Sequence, residues 1–208
     1  MLIEKKISVN DGIVSDFSFD LSVWDSVFID GIPWFPLVID DAISVSDSIA
    51  FHKPVWYAVS KKDIHNTTIY DILPPEFLHY RYIGRLDKDS HGLLLLTNNL
   101  DLVHRLSHPS FHSAKTYIVT LDSPFQSSDR QQCLQGIREW DDVLCVDEIF
   151  VTTDPRIIRI VLHEGKNRHI RRMLSFLWYG VCDLCRIAQA GIELWDLPVG
   201  EWKNVEIS

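Results

Sequence analysis

The run Leu93-Leu94-Leu95-Leu96 constrains this chain more than any other feature. Bounded by Gly92 on one side and Thr97-Asn98-Asn99 on the other, an apolar run of this kind reads as a strand buried on both faces. Directly before it, Arg85, Asp87, Lys88 and Asp89 stand between Gly84 and Gly92. Charges on a glycine-flexed loop set against a rigid strand are a place for chemistry. The same residues also suit a solvated connection whose Asp and Ser only satisfy the turn.

The rest of the chain is organised around that strand. Ile7-Ser8-Val9, Ile13-Val14 and Val27-Phe28-Ile29 are short strand segments punctuated by Asn10-Asp11-Gly12 and Asp30-Gly31, with Pro33 as a stop. Residues 41–48 are small, polar and acidic, and predict a linker with a domain boundary near residue 45. The expected units are therefore a β-rich segment over 1–45 and a main domain over 46–208.

In the main domain, Val55-Trp56-Tyr57-Ala58-Val59 predicts a strand. Thr67-Thr68 predicts a short helix that Pro74-Pro75 ends. Asn98 or Asn99 is placed to cap a helix bearing Leu102, Val103 and Leu106, which stops before Pro109. Lys115-Thr116-Tyr117-Ile118-Val119-Thr120-Leu121 alternates as a strand. Ser128-Asp129-Arg130-Gln131 has capping-box spacing before Cys133, Leu134 and Ile137. Strands are expected over 143–151 and 156–162. Ile170, Met173, Leu174, Leu177 and Trp178 form a helical stripe closed by Gly180. Two short strands follow over 181–186 and 192–194, and a last one after the turn at Gly200-Glu201-Trp202. Helices and strands mix without a βαβα alternation, so the expected fold class is α+β, with a mostly antiparallel mixed sheet flanked by helices.

The net charge of −9 speaks at first against a nucleic-acid partner. Its distribution reverses that reading. Residues 1–50 hold Lys5 and Lys6 against nine acidic residues, whereas Arg159, Lys166, Arg168, Arg171 and Arg172 meet only Glu164 in their segment. Local fields steer polyanions more than the total does. No apolar run approaches the ~20 residues of a membrane span. No signal-peptide core follows the N-terminus. Four cysteines then suggest a reducing, cytoplasmic setting.

Cys182-Asp183-Leu184-Cys185 has the spacing of one zinc-knuckle arm, but Cys133 and Cys145 make a poor second pair, so no metal is expected. His108 and His112 are separated by Pro109 and cannot stack on one helix face. Glu164-Gly165-Lys166-Asn167 lacks the ending of a phosphate loop.

Three stretches, GRLDKDSHGLLLLTNN, AKTYIVTLDSP and HEGKNRHIRRM, together resemble the signature stretches of the bacterial ribosomal pseudouridine synthases, in the RsuA-like branch that includes small-subunit and several large-subunit enzymes. Phe51-His52-Lys53-Pro54, Leu73-Pro74 and Pro198-Val199-Gly200-Glu201-Trp202 are similar to further landmarks, and the resemblance covers roughly residues 50–205.

The resemblance implies the synthase fold and isomerisation of a specific uridine in rRNA, 16S favoured and 23S possible, without cofactor or metal. It implies Asp87 as the essential carboxylate, either nucleophile or opener of the glycosidic bond, with Arg171 beside it to lower its pKa. Tyr117 would lie against the uracil as the base at C5. Arg85 would help take the target nucleotide out of its stack. Lys115, Lys166, Arg168, Arg172 and Arg186 would contact the RNA, with Lys166, Arg168 and Arg172 on phosphates. Lys88 and Asp89 are left as loop solvation. Paired with Glu139, Asp141 and Asp142, the basic residues would instead be a solvated face. The expected partner is structured ribosomal RNA, acted on by a monomer with no membrane contact.

Trp56 stands where a glycine is usual, Ala188 where a second basic residue is common, and Ser90 where a threonine is usual. Asn167-Arg168-His169 resembles the large-subunit members. Residues 1–45 resemble only the strand-and-turn half of the S4 RNA-binding module that generally opens this branch. These departures motivate a second expectation, a catalytically inactive RNA-binding or ribosome-assembly protein that keeps the fold.

Overall fold

The computed structural model describes residues 7–9, 12–14, 27–30, 32–34, 48–107 and 113–207. The chain divides into two compact units, Met1–Val45 and Ser46–Ser208. In the first, β1 (Ile7–Val9), β2 (Gly12–Val14), β3 (Val27–Ile29) and β4 (Ile32–Trp34) form an antiparallel sheet in the order β2-β1-β3-β4. Pro33, expected from the sequence as a stop, does not end the pairing. It lies inside β4 opposite Phe28, on an edge strand where a missing N–H is tolerated. The linker stretch 41–47, the turn residues 10, 11 and 31, and residues 108–112 lie outside the described residues.

The second unit has β5 (Ser48–Lys53), β6 (Arg81–Ile83), β7 (His91–Thr97), α1 (Leu100–Ser107), β8 (Lys115–Leu121), α2 (Arg130–Gln135), β9 (Ile137–Glu139), β10 (Asp142–Leu144), β11 (Glu148–Val151), β12 (Ile157–Leu162), α3 (His169–Phe176), β13 (Val181–Gln189), β14 (Ile192–Glu193) and β15 (Trp202–Asn204). Nine strands make one sheet, ordered β11-β12-β8-β13-β7-β5-β15, with β14 on β13 and β6 on β7. All pairings are antiparallel except β7 with β13. The α+β class with a mostly antiparallel sheet is thus observed, and β7 lies inside the sheet.

Leu93, Leu94, Leu95 and Leu96 are all fully buried. Successive side chains of a strand point to opposite faces. Leu93 and Leu95 join Ala50, Ile83 and Leu194 in one cluster, against which Val103 and Leu106 of α1 pack. Leu94 and Leu96 are covered on the other face. Burying four leucines at about 1.5–3 kcal/mol each makes β7 the energetic centre of the unit. Asn99 caps α1, its Oδ1 accepting from the N–H groups of Asp101 (3.0 Å) and Leu102 (3.2 Å). Among the described residues no helix is long and apolar enough to cross a membrane.

Several elements differ from expectation. The strand is Ser48–Lys53, and Val55-Trp56 forms a turn in which Trp56 takes φ +73° and its N–H reaches the Lys88 carbonyl at 2.6 Å. Only Ala58 makes a bridge, to Thr68. The helix expected after Thr68 is a single 3-10 turn, Ile69–Asp71, held by a Thr68–Asp71 capping box, and Pro75 opens a second. The capping box at Ser128 does not form, because Ser128 Oγ donates to Asp129 while the Tyr179 hydroxyl takes up the same carboxylate. The strand expected over 143–151 is broken between β10 and β11, where the Val146 N–H donates to the Cys133 carbonyl. α3 buries Ile170, Met173 and Leu174 but ends at Leu177, and Trp178, at φ +68° and 92% exposed, supplies the left-handed residue expected of Gly180.

Candidate active site

The charged loop over 84–90 joins β6 to β7 and is held from beneath by two buried cations. Lys53, with no exposed surface, donates through Nζ to the carbonyls of Ser90 (2.8 Å), Pro54 (2.9 Å) and Lys88 (3.5 Å). Arg186, equally buried, donates from Nε to the Leu93 carbonyl (2.7 Å) and from Nη1 to the Arg85 carbonyl (3.3 Å). Gly92 lets the Arg186 backbone approach β7, since a Cβ there would lie 2.3 Å from the Arg186 carbonyl oxygen. Sequence reasoning missed Lys53, because a buried lysine is rare and its acceptors are main-chain atoms up to 37 residues away. It misplaced Arg186, which lies inside the fold and cannot meet RNA.

Above these anchors the loop displays Asp87 in a cleft of about 230 Å3. Leu86 and Ser90 line it from the loop, Lys115 and Tyr117 from β8, and residues 162–166 and 168–170 from the turn into α3. Tyr117 is 8% exposed. The Ser113 hydroxyl, also in the cleft, is buried and unpartnered among the described residues. Lys115 donates to the carbonyls of Ser113 (2.9 Å) and His163 (3.0 Å). Burial and the nearby Arg186 charge pull its pKa down to about 8.

The ion pairing corrects the sequence reading. Arg171 was expected to hold Asp87 ionised, and Asp89 to be loop solvation. Instead Asp89 takes the guanidiniums: Arg168 binds it through both oxygens at 3.0 and 2.9 Å, and Arg171 Nε lies 3.4 Å from it. Arg171 also donates to the main-chain carbonyls of Asp89 (2.8 Å) and Val181 (3.1 Å), bracing the loop against β13. Burial pushes the Asp89 carboxyl up, but the Arg168 hydrogen bonds and the two guanidinium charges outweigh it and leave it below the ordinary carboxylate range. Asp87 goes the other way. Its burial raises its pKa, and Arg168, then Arg171 and Arg85, only partly oppose this while Asp89 reinforces it. Lys88 is bonded to Asn66.

The remaining basic residues divide. Arg85 is exposed on the rim of the cleft. Arg172 is held by Glu139 and by Asp142 at 2.8 Å, and Lys166 lies 3.5 Å from Asp142 and donates to the Val143 carbonyl at 3.0 Å. These acids include two of those named as alternative partners. The cleft thus offers one half-buried carboxylate beside a phenol, with cations around them, a set suited to nucleophilic and acid–base work on a flat, polar ring.

A family model described as RNA pseudouridylate synthase matches residues 47–176. The dual-specificity RNA pseudouridine synthase RluF of Salmonella typhi is 30% identical over 201 residues, covering 97% of this chain and 65% of the relative. The ribosomal small subunit pseudouridine synthase A of Pasteurella multocida is 28% identical over 210 residues, covering 99% and 87%. A solved structure, described as a pseudouridylate synthase, superposes with a TM-score of 0.71 at 25% identity, covering 97% of this chain and 85% of that one.

Proposed function

The chain belongs to the RNA pseudouridylate synthase family, and we propose that it isomerises a uridine of ribosomal RNA, 16S in preference to 23S, to pseudouridine. The observation that carries this reading is Asp87, half-buried in the same cleft as Tyr117. The reaction breaks the C1′–N1 bond, turns the base and joins C5 to C1′. C5 loses a proton and N1 gains one, so nothing is oxidised or reduced. Ionised Asp87 opens the glycosidic bond, and Tyr117 lies against the uracil within reach of C5. A cleft of this depth takes one nucleoside only if it leaves its stack, and Arg85 on the rim fills the vacated space.

Arg171 supports the chemistry through the loop's main chain and Asp89, and adds the second of three guanidinium attractions on Asp87, after Arg168 and ahead of Arg85. Lys115 lies within the cleft and Arg168 beside Asp89, while Lys166 and Arg172 reach phosphate only by exchanging their carboxylate partners. We read the enzyme as a cytoplasmic monomer acting on structured RNA. The test is to incubate 16S and 23S transcripts with the chain and with Asp87→Asn, and to detect pseudouridine by mass-shift labelling. The unaltered chain is expected to give one labelled position and Asp87→Asn none. Label at that position with the Asn variant overturns the assignment.

A further inference from the structure

Three side chains outside the cleft meet where β5, β7 and β13 run side by side. His52 of β5 pairs with Leu93 of β7, and His91 of β7 pairs with Cys185 of β13, so the register brings His52, His91 and Cys185 together. One ring nitrogen of each histidine and the Cys185 sulfur lie within 4.8 Å of one another. The two imidazoles are stacked, with centroids 5.6 Å apart.

The surroundings fix which nitrogen of each ring carries a hydrogen. His52 Nδ1 lies 2.7 Å from the Leu197 carbonyl, which can only accept, so Nδ1 is the protonated nitrogen. His91 Nε2 lies 3.1 and 3.2 Å from the Asp183 carboxylate oxygens, which fixes its proton on Nε2. The two nitrogens left over, His52 Nε2 and His91 Nδ1, face each other at 3.3 Å, each with a lone pair when both rings are neutral. Two such acceptors hold that distance only with a cation between them, a proton or a metal ion. Nitrogens bound at ~2.0 Å to one tetrahedral ion stand ~3.3 Å apart. A backbone carbonyl on one histidine and a carboxylate on the other are the partners that orient metal-binding imidazoles.

We propose that His52, His91 and Cys185 bind one zinc ion per chain. The ion clips three adjacent strands together at the start of β7, directly behind the loop that carries Asp87. Nitrogen and thiolate ligands suit zinc, and three protein ligands leave a fourth position for water on the side where His91 is 22% exposed. Binding releases the Cys185 thiol proton to solvent. Cys182, the other half of the two-residue spacing, is exposed and stands outside the cluster. The likeness to one arm of a zinc knuckle therefore pairs the wrong sulfurs, and the ligands come from three separate strands.

The test uses the full, untagged chain, stripped with a chelator and titrated with zinc against a chromophoric competitor. Cobalt serves as the spectroscopic probe. The expected result is one equivalent of zinc, and with cobalt a thiolate charge-transfer band together with tetrahedral d–d bands. Cys185→Ser is expected to abolish the charge-transfer band and weaken zinc binding by about tenfold or more, Asp183→Asn to weaken it by about tenfold, and Cys182→Ser to change neither. Far-UV circular dichroism of each stripped variant separates lost ligation from lost fold. Absence of stoichiometric uptake, as when a shared proton alone bridges the imidazoles, overturns the proposal. So does undiminished binding by folded Cys185→Ser.

Discussion

Replacing Gly92 by alanine tests whether the catalytic loop depends on close contact between β7 and β13. The added methyl would meet only main-chain atoms, 2.3 Å from the Arg186 carbonyl oxygen and 2.6 Å from its nitrogen, so no side chain can swing away. Relieving that overlap means prising apart a parallel pair that carries Arg186 opposite Gly92. Overpacking of this kind costs about 1–3 kcal/mol. The φ of +107° adds about 1–2 kcal/mol for a residue with a Cβ. The stiffer unfolded chain returns about 0.4–1 kcal/mol. The net loss should be about 1–4.5 kcal/mol, centred near ~3 kcal/mol, a large share of a typical domain's stability.

Gly191 is the control, at φ +78° with nothing within 4 Å of an added Cβ, so Gly191→Ala should cost about 1 kcal/mol or less. Urea unfolding with chelator present, followed by tryptophan fluorescence, reads the difference through residues such as Trp202, which packs 4.4 Å from Phe77. With m near ~2 kcal/mol/M, the Gly92→Ala midpoint should fall about 0.5–2 M below that of the unaltered chain. Equal midpoints for the two alanine variants would refute the argument.

Because burial holds the Asp87 pKa above its ordinary range and Arg168 is the strongest charge opposing that, Arg168→Met should raise it further. The acid limb of the kcat/KM profile should then move to higher pH, and an unmoved limb counts against the electrostatic account. Lys115 gives up its proton near pH 8 in the fold and near 10.5 unfolded, so the unfolded chain holds more protons between these values. Stability should therefore rise across that window through this group, by up to about 3 kcal/mol, and the rise should vanish in Lys115→Met when unfolding free energy is measured against pH. Arg85→Ala removes an exposed rim charge and should reduce the salt slope of RNA binding by about one, whereas Arg172→Ala should leave it nearly unchanged because Glu139 and Asp142 already occupy that guanidinium. Filter binding at graded salt distinguishes them.

What could be read from the sequence was what repeats locally. The four leucines announced a buried strand because no alternation was needed to see it, and the stripe through Ile170, Met173 and Leu174 announced α3 by its spacing. The end of that helix was misread because either Trp178 or Gly180 can end it, and only the contact of Gly180 with Asp122 (N–H to Oδ1, 3.0 Å) explains why the glycine sits in the turn beyond. The partner of Arg171 was illegible for a related reason. Asp87 and Asp89 are two residues apart on one loop, equally acidic, and their division into a raised and a lowered carboxyl is made by the burial of Asp87 and by the hydrogen bonds that Arg168, 79 residues away, gives to Asp89 alone. Arg186 carries the same formal charge as a phosphate-binding arginine, and nothing in its neighbours announces that it lies fully buried. Val55-Trp56-Tyr57 has strand composition, yet turns because the Trp56 N–H bonds the Lys88 carbonyl.

The two cations beneath the loop grip it by its carbonyl oxygens, at Arg85, Lys88 and Ser90, and make no use of the side chains at those positions. A carbonyl is the same whatever residue bears it. The path of the loop is therefore independent of much of what it displays, and residues such as 85 and 88 are open to redesign. Libraries randomised there, with Lys53, Gly92 and Arg186 kept, should yield folded proteins at high frequency and offer a route to altered RNA targets on an unchanged frame.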